Sequence, residues 1–126
     1  MLIDDNPDDN FFHERIINKS NLVEKVITME SGKNALDYII SQKDNNEPYP
    51  DLIFLDINMP GMNGWDFLAE YNKLNIQLQK PVLVIMLTTS DSPEDKIKAK
   101  ELNVGFNFKT KPLTQDMLEE MFDKYF

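Results

Sequence analysis

Leu52-Ile53-Phe54-Leu55-Asp56-Ile57-Asn58-Met59-Pro60-Gly61-Met62-Asn63-Gly64 is the stretch on which the fold turns. Its first four residues are apolar and read as a buried strand that runs into Asp56. Pro60, Gly61, Asn63 and Gly64 then punctuate a turn. Beyond it Phe67, Leu68, Tyr71 and Leu74 fall at helical spacing. The unit is a strand, an acid at the strand's C-terminal end, a turn and a helix.

The same alternation extends to both ends of the chain. Upstream, Met1–Ile3 is a short apolar strand followed by Asp4 and Asp5. Asp8 or Asp9 is expected to cap a first helix with Phe12, Ile16 and Ile17 on one face. Glu24–Met29 reads as a second strand. Ser31 caps a second helix with an apolar stripe of Ala35, Leu36, Ile39 and Ile40, and Gln42–Pro50 reads as a surface loop. Downstream, Val82–Leu87 is apolar throughout, the pattern of a strand covered on both faces in a parallel sheet. Ser92 and Pro93 open a fourth helix whose apolar residues are only Ile97, Ala99 and Leu102. Phe106–Phe108 is a short fifth strand. After Lys111 and Pro112, Thr114 caps a fifth helix carrying Met117, Leu118, Met121, Phe122 and Tyr125. Five βα units with right-handed crossovers give an α/β fold, a five-stranded parallel sheet with helices on both faces.

Ligands of such sheets bind beyond the C-terminal strand ends. Those ends carry Asp4 and Asp5, then Asp56 and Asn58, then Thr88, Thr89 and Ser90, then Lys111. Clustered carboxylates raise one another's pKa, and a hard cation relieves the repulsion. All-oxygen ligands favour Mg²⁺. A carboxylate set between such a cation and a lysine ammonium can attack a phosphoryl group whose oxygens the two charges neutralise. Asp8 and Asp9 read as capping acids rather than ligands, His13 as an exposed or half-exposed side chain, and Trp65 and the methionines as packing.

The chain resembles a response-regulator receiver domain, the CheY-like phosphoacceptor module of two-component signalling. The resemblance rests on Leu2-Ile3-Asp4-Asp5, the Leu52–Gly64 segment, Met86-Leu87-Thr88 and Lys111-Pro112, in that order along nearly the whole chain. It implies a flavodoxin-like strand order of 2-1-3-4-5. It also implies that Asp56 is phosphorylated. Asp5 and Asp56 would bind Mg²⁺ directly with the backbone carbonyl of Asn58, and Asp4 would act through water. Lys111 would pair with the acyl phosphate, Thr88 would be the switch hydroxyl and Phe108 the switch aromatic. Thr89 stays a rival to Thr88: counting back from Lys111 favours Thr89, whereas Thr88 stands eleven residues before Ala99. The Lys111–Pro112 peptide bond is expected to be cis. The implied phosphodonor is a sensor histidine kinase or a histidine phosphotransfer protein, and the fourth helix, fifth strand and fifth helix would signal to an output partner.

Two other readings use the same residues. A Mg²⁺-dependent phosphohydrolase of the haloacid-dehalogenase type would need an acid two residues after the nucleophile, where Asn58 stands. A degenerate receiver would act only as a binding module, against which the complete set Asp4, Asp5, Asp56, Thr88 and Lys111 argues. The 126 residues fit one domain, 1–126, with no output domain within it. Thirteen basic residues against 22 acidic ones, a net charge of −9, argue against nucleic-acid binding. No apolar run approaches the ~20 residues that span a bilayer. The absence of cysteine excludes disulfides and thiolate metal sites and fits a reducing, cytoplasmic setting.

Overall fold

A computed structural model describes residues 1–74, 82–89, 93–101 and 108–126. The elements are β1 (Leu2–Ile3), α1 (Pro7–Ser20), β2 (Thr28–Met29), α2 (Gly32–Asp44), β3 (Leu52–Asp56), α3 (Gly64–Lys73), β4 (Leu83–Thr88), α4 (Pro93–Glu101), β5 (Phe108–Thr110) and α5 (Gln115–Tyr125). All neighbouring strands pair in parallel, in the order β2-β1-β3-β4-β5.

Strand alternation builds a core on each side of this sheet. Ile3, Ile53, Leu55 and Met86 face one core, closed by Ala35, Leu36 and Ile39 of α2, by Trp65 and Phe67 of α3, and by Ala99 of α4. Leu2, Leu52, Phe54, Ile85 and Leu87 face the other, closed by Ile17 of α1 and by Leu118 and Met121 of α5. Both sides of β3 are therefore dry, and all five of its residues are buried. Asp56, the last of them, is an acid carried by a rigid central strand. Among the described residues no helix is long and apolar enough to cross a membrane.

Several local expectations shift. Asn6, not Asp8 or Asp9, caps α1: its side chain accepts from the Asp8 and Asp9 amides, and Pro7 takes the first helical position. The buried face of α1 is Asn10, His13 and Ile17. Phe12 becomes 46% exposed, and His13 is buried at 3% rather than exposed. β2 is confined to Thr28–Met29 because its partner β1 offers only Leu2 and Ile3. Residues 24–27 instead settle Val26 against the α1–α5 core, with Leu2 donating its N–H to the Ile27 carbonyl. α2 continues to Asp44, past the expected start of the loop. β4 runs one residue later, Leu83–Thr88. Ile40 is 37% and Ile97 58% exposed, so neither anchors its helix. Ser90, Ser92, Leu102, the stretch 103–105 and Phe106 lie outside the described residues. Ser31 and Thr114 cap α2 and α5 as expected, and Lys111–Pro112 is cis.

The β3–α3 turn closes against the strand it leaves. Gly64 donates its N–H to the Ile57 carbonyl at 2.9 Å. A Cβ on Gly64 would stand 2.6 Å from the Asp56 carbonyl oxygen and 2.9 Å from Ile57 Cα, both backbone atoms that cannot swing aside. Asn63 and Asp66 complete a reciprocal capping box at the start of α3. Gly64→Ala should therefore destabilise the protein by about 1–3 kcal/mol, as overpacking does. Urea unfolding checks this, and an unchanged midpoint would show that the turn can open without loss.

Candidate functional site

The C-terminal ends of β1, β3 and β5 deliver the charges. Asp4 follows β1, Asp56 ends β3, and Lys111 follows β5. One carboxylate oxygen from each of Asp4, Asp5 and Asp56 lies within 4.8 Å of the others. Asp4 and Asp56 are buried at 4% and 6%, whereas Asp5 is exposed. Lys111 Nζ enters this cluster, 2.6 Å from Asp4 Oδ2, 3.1 Å from Asp9 Oδ2 and 3.4 Å from Asp56 Oδ1.

Backbone contacts fix the loops that carry these groups. The Asn6 N–H donates to Asp4 Oδ1, so both Asp4 oxygens have protein partners. Asn10 Nδ2 donates to the Asp4 and Met29 carbonyls and ties together the ends of β1 and β2. The Lys111 N–H donates to the Thr88 carbonyl at 2.7 Å, and the Ile57 N–H to the Leu87 carbonyl at 3.2 Å. Ile57, Met59 and Leu113 are buried and pin the loops after β3 and β5.

The electrostatics follow from burial. Loss of water pushes the Asp56 carboxyl up to about 6, and the Asp4 charge adds to it; the Lys111 ammonium and the Asn58 N–H oppose the rise. Burial alone would weaken Lys111 as a cation. Its hydrogen bonds to Asp4 and Asp9, together with the Asp56 and Asp4 charges, outweigh that and hold its pKa above the usual value. Asp56 is thus a basic, poorly solvated carboxylate beside a fixed cation. The set of hard oxygen donors suits a hard divalent cation rather than a thiophilic metal.

Asp4, Asp5, Asp56 and Lys111 converge as the strand-end reading requires. Thr88 is wholly buried at the end of β4 and Thr89 is exposed. Phe108 is half-buried against the core that contains Ile3 and Ala99. Asp8 is exposed in the first turn of α1. Asp9 is the residue that sequence reasoning missed: it is a counterion of Lys111 as well as a first-turn acid. The signal was spacing: Asp9 stands four residues before His13 and eight before the core residue Ile17, which puts it on the inward stripe of α1.

The chain is similar to known proteins in sequence and in fold. The family model for the response regulator receiver domain matches residues 1–123. Response regulator Rcp1 of Synechocystis is 32% identical over 106 residues, covering 83% of this chain and 71% of Rcp1. The phosphate regulon transcriptional regulatory protein PhoB of Escherichia coli is 34% identical over 80 residues, covering 64% of this chain but only 34% of PhoB. A two-component response regulator from Cytophaga hutchinsonii superposes with a TM-score of 0.80 at 31% identity, over 98% of this chain and 92% of that one.

Asp56 prefers its protonated form more strongly when folded (about 6) than its ordinary value of 3.8 allows. The stability tied to this group is therefore greatest below pH 4 and falls as pH rises through 6. Asp56→Asn should raise metal-free stability at neutral pH by about 1–3 kcal/mol, and the gain should vanish toward pH 4. Chemical denaturation of both proteins across this range is the check. A gain that persists at pH 4 would assign the effect to something other than the Asp56 charge.

Proposed function

The chain belongs to the response-regulator receiver family, and on that premise we propose that it accepts a phosphoryl group on Asp56. The observation that carries this reading is the placement of the Asp56 carboxylate at 3.4 Å from Lys111 Nζ, with Asp4 and Asp5 beside it. A carboxylate raised to about 6 is ionised at neutral pH and is more nucleophilic than an ordinary aspartate. An Asp56 oxygen forms the new O–P bond while the donor's P–N bond breaks, and the donor imidazole leaves. Lys111 balances charge on the phosphoryl oxygens. Bound Mg²⁺ would supply further neutralisation of the same oxygens. Asp5, Asp56 and the Asn58 carbonyl would hold it. Both Asp4 oxygens are engaged, by Lys111 and the Asn6 N–H, which supports a contact through water for Asp4. The matched structures include Rcp1 in a Mn²⁺-bound form, 29% identical with a TM-score of 0.68 over 94% of this chain and 85% of that one.

The donor in this reading is a histidine kinase or histidine phosphotransfer protein in the cytoplasm. The chain catalyses only its own phosphorylation and dephosphorylation. Residues 1–126 act as one phosphoacceptor domain, and its state is passed to an output protein through α4, β5 and α5. Thr88 is the switch hydroxyl: its burial at the end of β4, with its carbonyl bonded to Lys111 N–H, supports it over exposed Thr89. Phe108, packed on the same core as Ala99, is the aromatic that moves with it.

Incubation with phosphoramidate and Mg²⁺ should add one phosphoryl group to the intact mass, and Asp56→Ala should abolish the gain. Labelling that survives in Asp56→Ala would remove Asp56 from the role. Asp5→Asn should weaken Mg²⁺ binding more than Asp4→Asn does, read by titration of Trp65 fluorescence. Thr88→Ala should still be phosphorylated but show a much weaker change in amide exchange across α4 and β5, since a hydrogen bond to a charged phosphate contributes about 1.5–3 kcal/mol. Thr89→Ala should behave like the parent, and the opposite pattern would transfer the role.

A further inference from the structure

His13 is the chain's one histidine, and it is buried at 3% exposure. Its Nε2 accepts the backbone N–H of Leu113 at 3.4 Å. One helical turn earlier, Asp9 receives the Lys111 ammonium at 3.1 Å. Asp9 and His13 are four residues apart, so they share a face of α1. Two successive turns of α1 thus grip one short segment after β5, first at the Lys111 side chain and then at the backbone two residues later. Leu113 is itself 1% exposed and packs in the core with Ile17, Leu118 and Met121. The segment is anchored below by Leu113 and held sideways by α1.

We propose that Asp9 and His13 form a two-point clamp through which α1 positions Lys111 for phosphoryl transfer to Asp56. Both are positioning residues, and the inference rests on the receiver reading above. The clamp requires one form of His13. An imidazole accepts at Nε2 only when it is neutral with its proton on Nδ1. Protonation would turn Nε2 into a donor facing the Leu113 donor, and would place a second cation beside Lys111. The charged groups acting on His13 are Lys111 after β5, Asp9 on its own helix and Asp4 after β1. Burial and the Lys111 charge hold its pKa below 6.5, and the two aspartates oppose them only in part. A packing histidine with no such role would serve equally well in either tautomer and could be exchanged for an apolar side chain.

The single imidazole gives an unambiguous ¹H–¹⁵N signal in the full chain. The expected spectrum at neutral pH is the Nδ1–H tautomer, titrating with a midpoint below 6.5. Asp9→Asn should lower that midpoint further by removing an opposing negative charge. His13→Leu should speed exchange of the Leu113 amide and slow phosphorylation by phosphoramidate about fivefold, the equivalent of one neutral hydrogen bond. His13→Gln, which restores an acceptor, should recover both. The Nε2–H tautomer, a midpoint above 6.5, or a His13→Leu protein that is phosphorylated at the parental rate would overturn the clamp. If the parent is not phosphorylated on Asp56 at all, the receiver chemistry fails instead, while the tautomer and the Leu113 amide still decide whether α1 holds this segment.

Discussion

One cation makes the C-terminal edge of the sheet tolerable. Asp4, Asp5, Asp9 and Asp56 converge there, two of them nearly without water. Unbalanced carboxylates in such a place would protonate or force the loops apart. Lys111 lies within 3.4 Å of three of the four, with its own side chain only 8% exposed. Its position is set by the end of β5, by the hydrogen bond from its N–H to the Thr88 carbonyl, and by buried Leu113 two residues on. Burial first, and then the neighbouring Asp4 charge, push Asp56 up to about 6, and Lys111, 2.6 Å from Asp4 but 3.4 Å from Asp56, offsets the rise only in part. Burial with incomplete pairing is what makes the Asp56 carboxylate more basic than a solvated one.

The sheet exists in the form that this arrangement needs. A nucleophile on a loop would relax away from a neighbour that repels it. Asp56 is the fifth residue of a strand whose four preceding side chains are buried on alternating faces. Moving it would disturb both cores at once. The close approach of Gly64 to the Asp56 carbonyl and the capping box behind it hold the outgoing chain in the same way. Strain at the charged edge is thus resisted by apolar packing on both sides of the sheet rather than by the edge itself.

The parts of this that were legible in sequence are those encoded within one segment. Leu52–Gly64 carries its own strand, acid, turn and helix start, so Asp56 could be placed without knowing its neighbours. The same holds for Asp4, Asp5 and Lys111, each beside a recognisable strand end. What escaped depends on phase or on a partner. Taking Phe12 rather than His13 into the stripe with Ile17 turns the expected buried face of α1 by about 100°. That choice is enough to turn Asp9 away from the strand ends and to expose His13. β2 was read too long because Val26 and Ile27 fit a strand, yet the ladder ends where two-residue β1 ends. Ile97 was read as an anchor on composition alone, although the face it occupies carries no core.

The uneven anchoring of the helices gives the edge an outlet. α3 buries Trp65, Phe67 and Leu68, and α5 buries Leu118 and Met121. In α4 the buried position among the described residues is Ala99, whose single methyl contributes little transfer energy. α4 also makes polar contacts: Asp95 accepts from Trp65 Nε1 at 3.2 Å, and Lys98 lies 6.0 Å above the Trp65 ring. Polar contacts of this kind can be exchanged for water at small cost, whereas apolar ones cannot. In the phosphoacceptor reading, a change in charge at Asp56 would be resisted by β3, α3 and α5 and would be most cheaply absorbed by displacement of α4. Thr88 ends β4, and its carbonyl is held by the Lys111 N–H. In the phosphoacceptor reading, buried Thr88, tied through its carbonyl to the segment that carries Lys111, is where a change of charge at the edge would first reach β4.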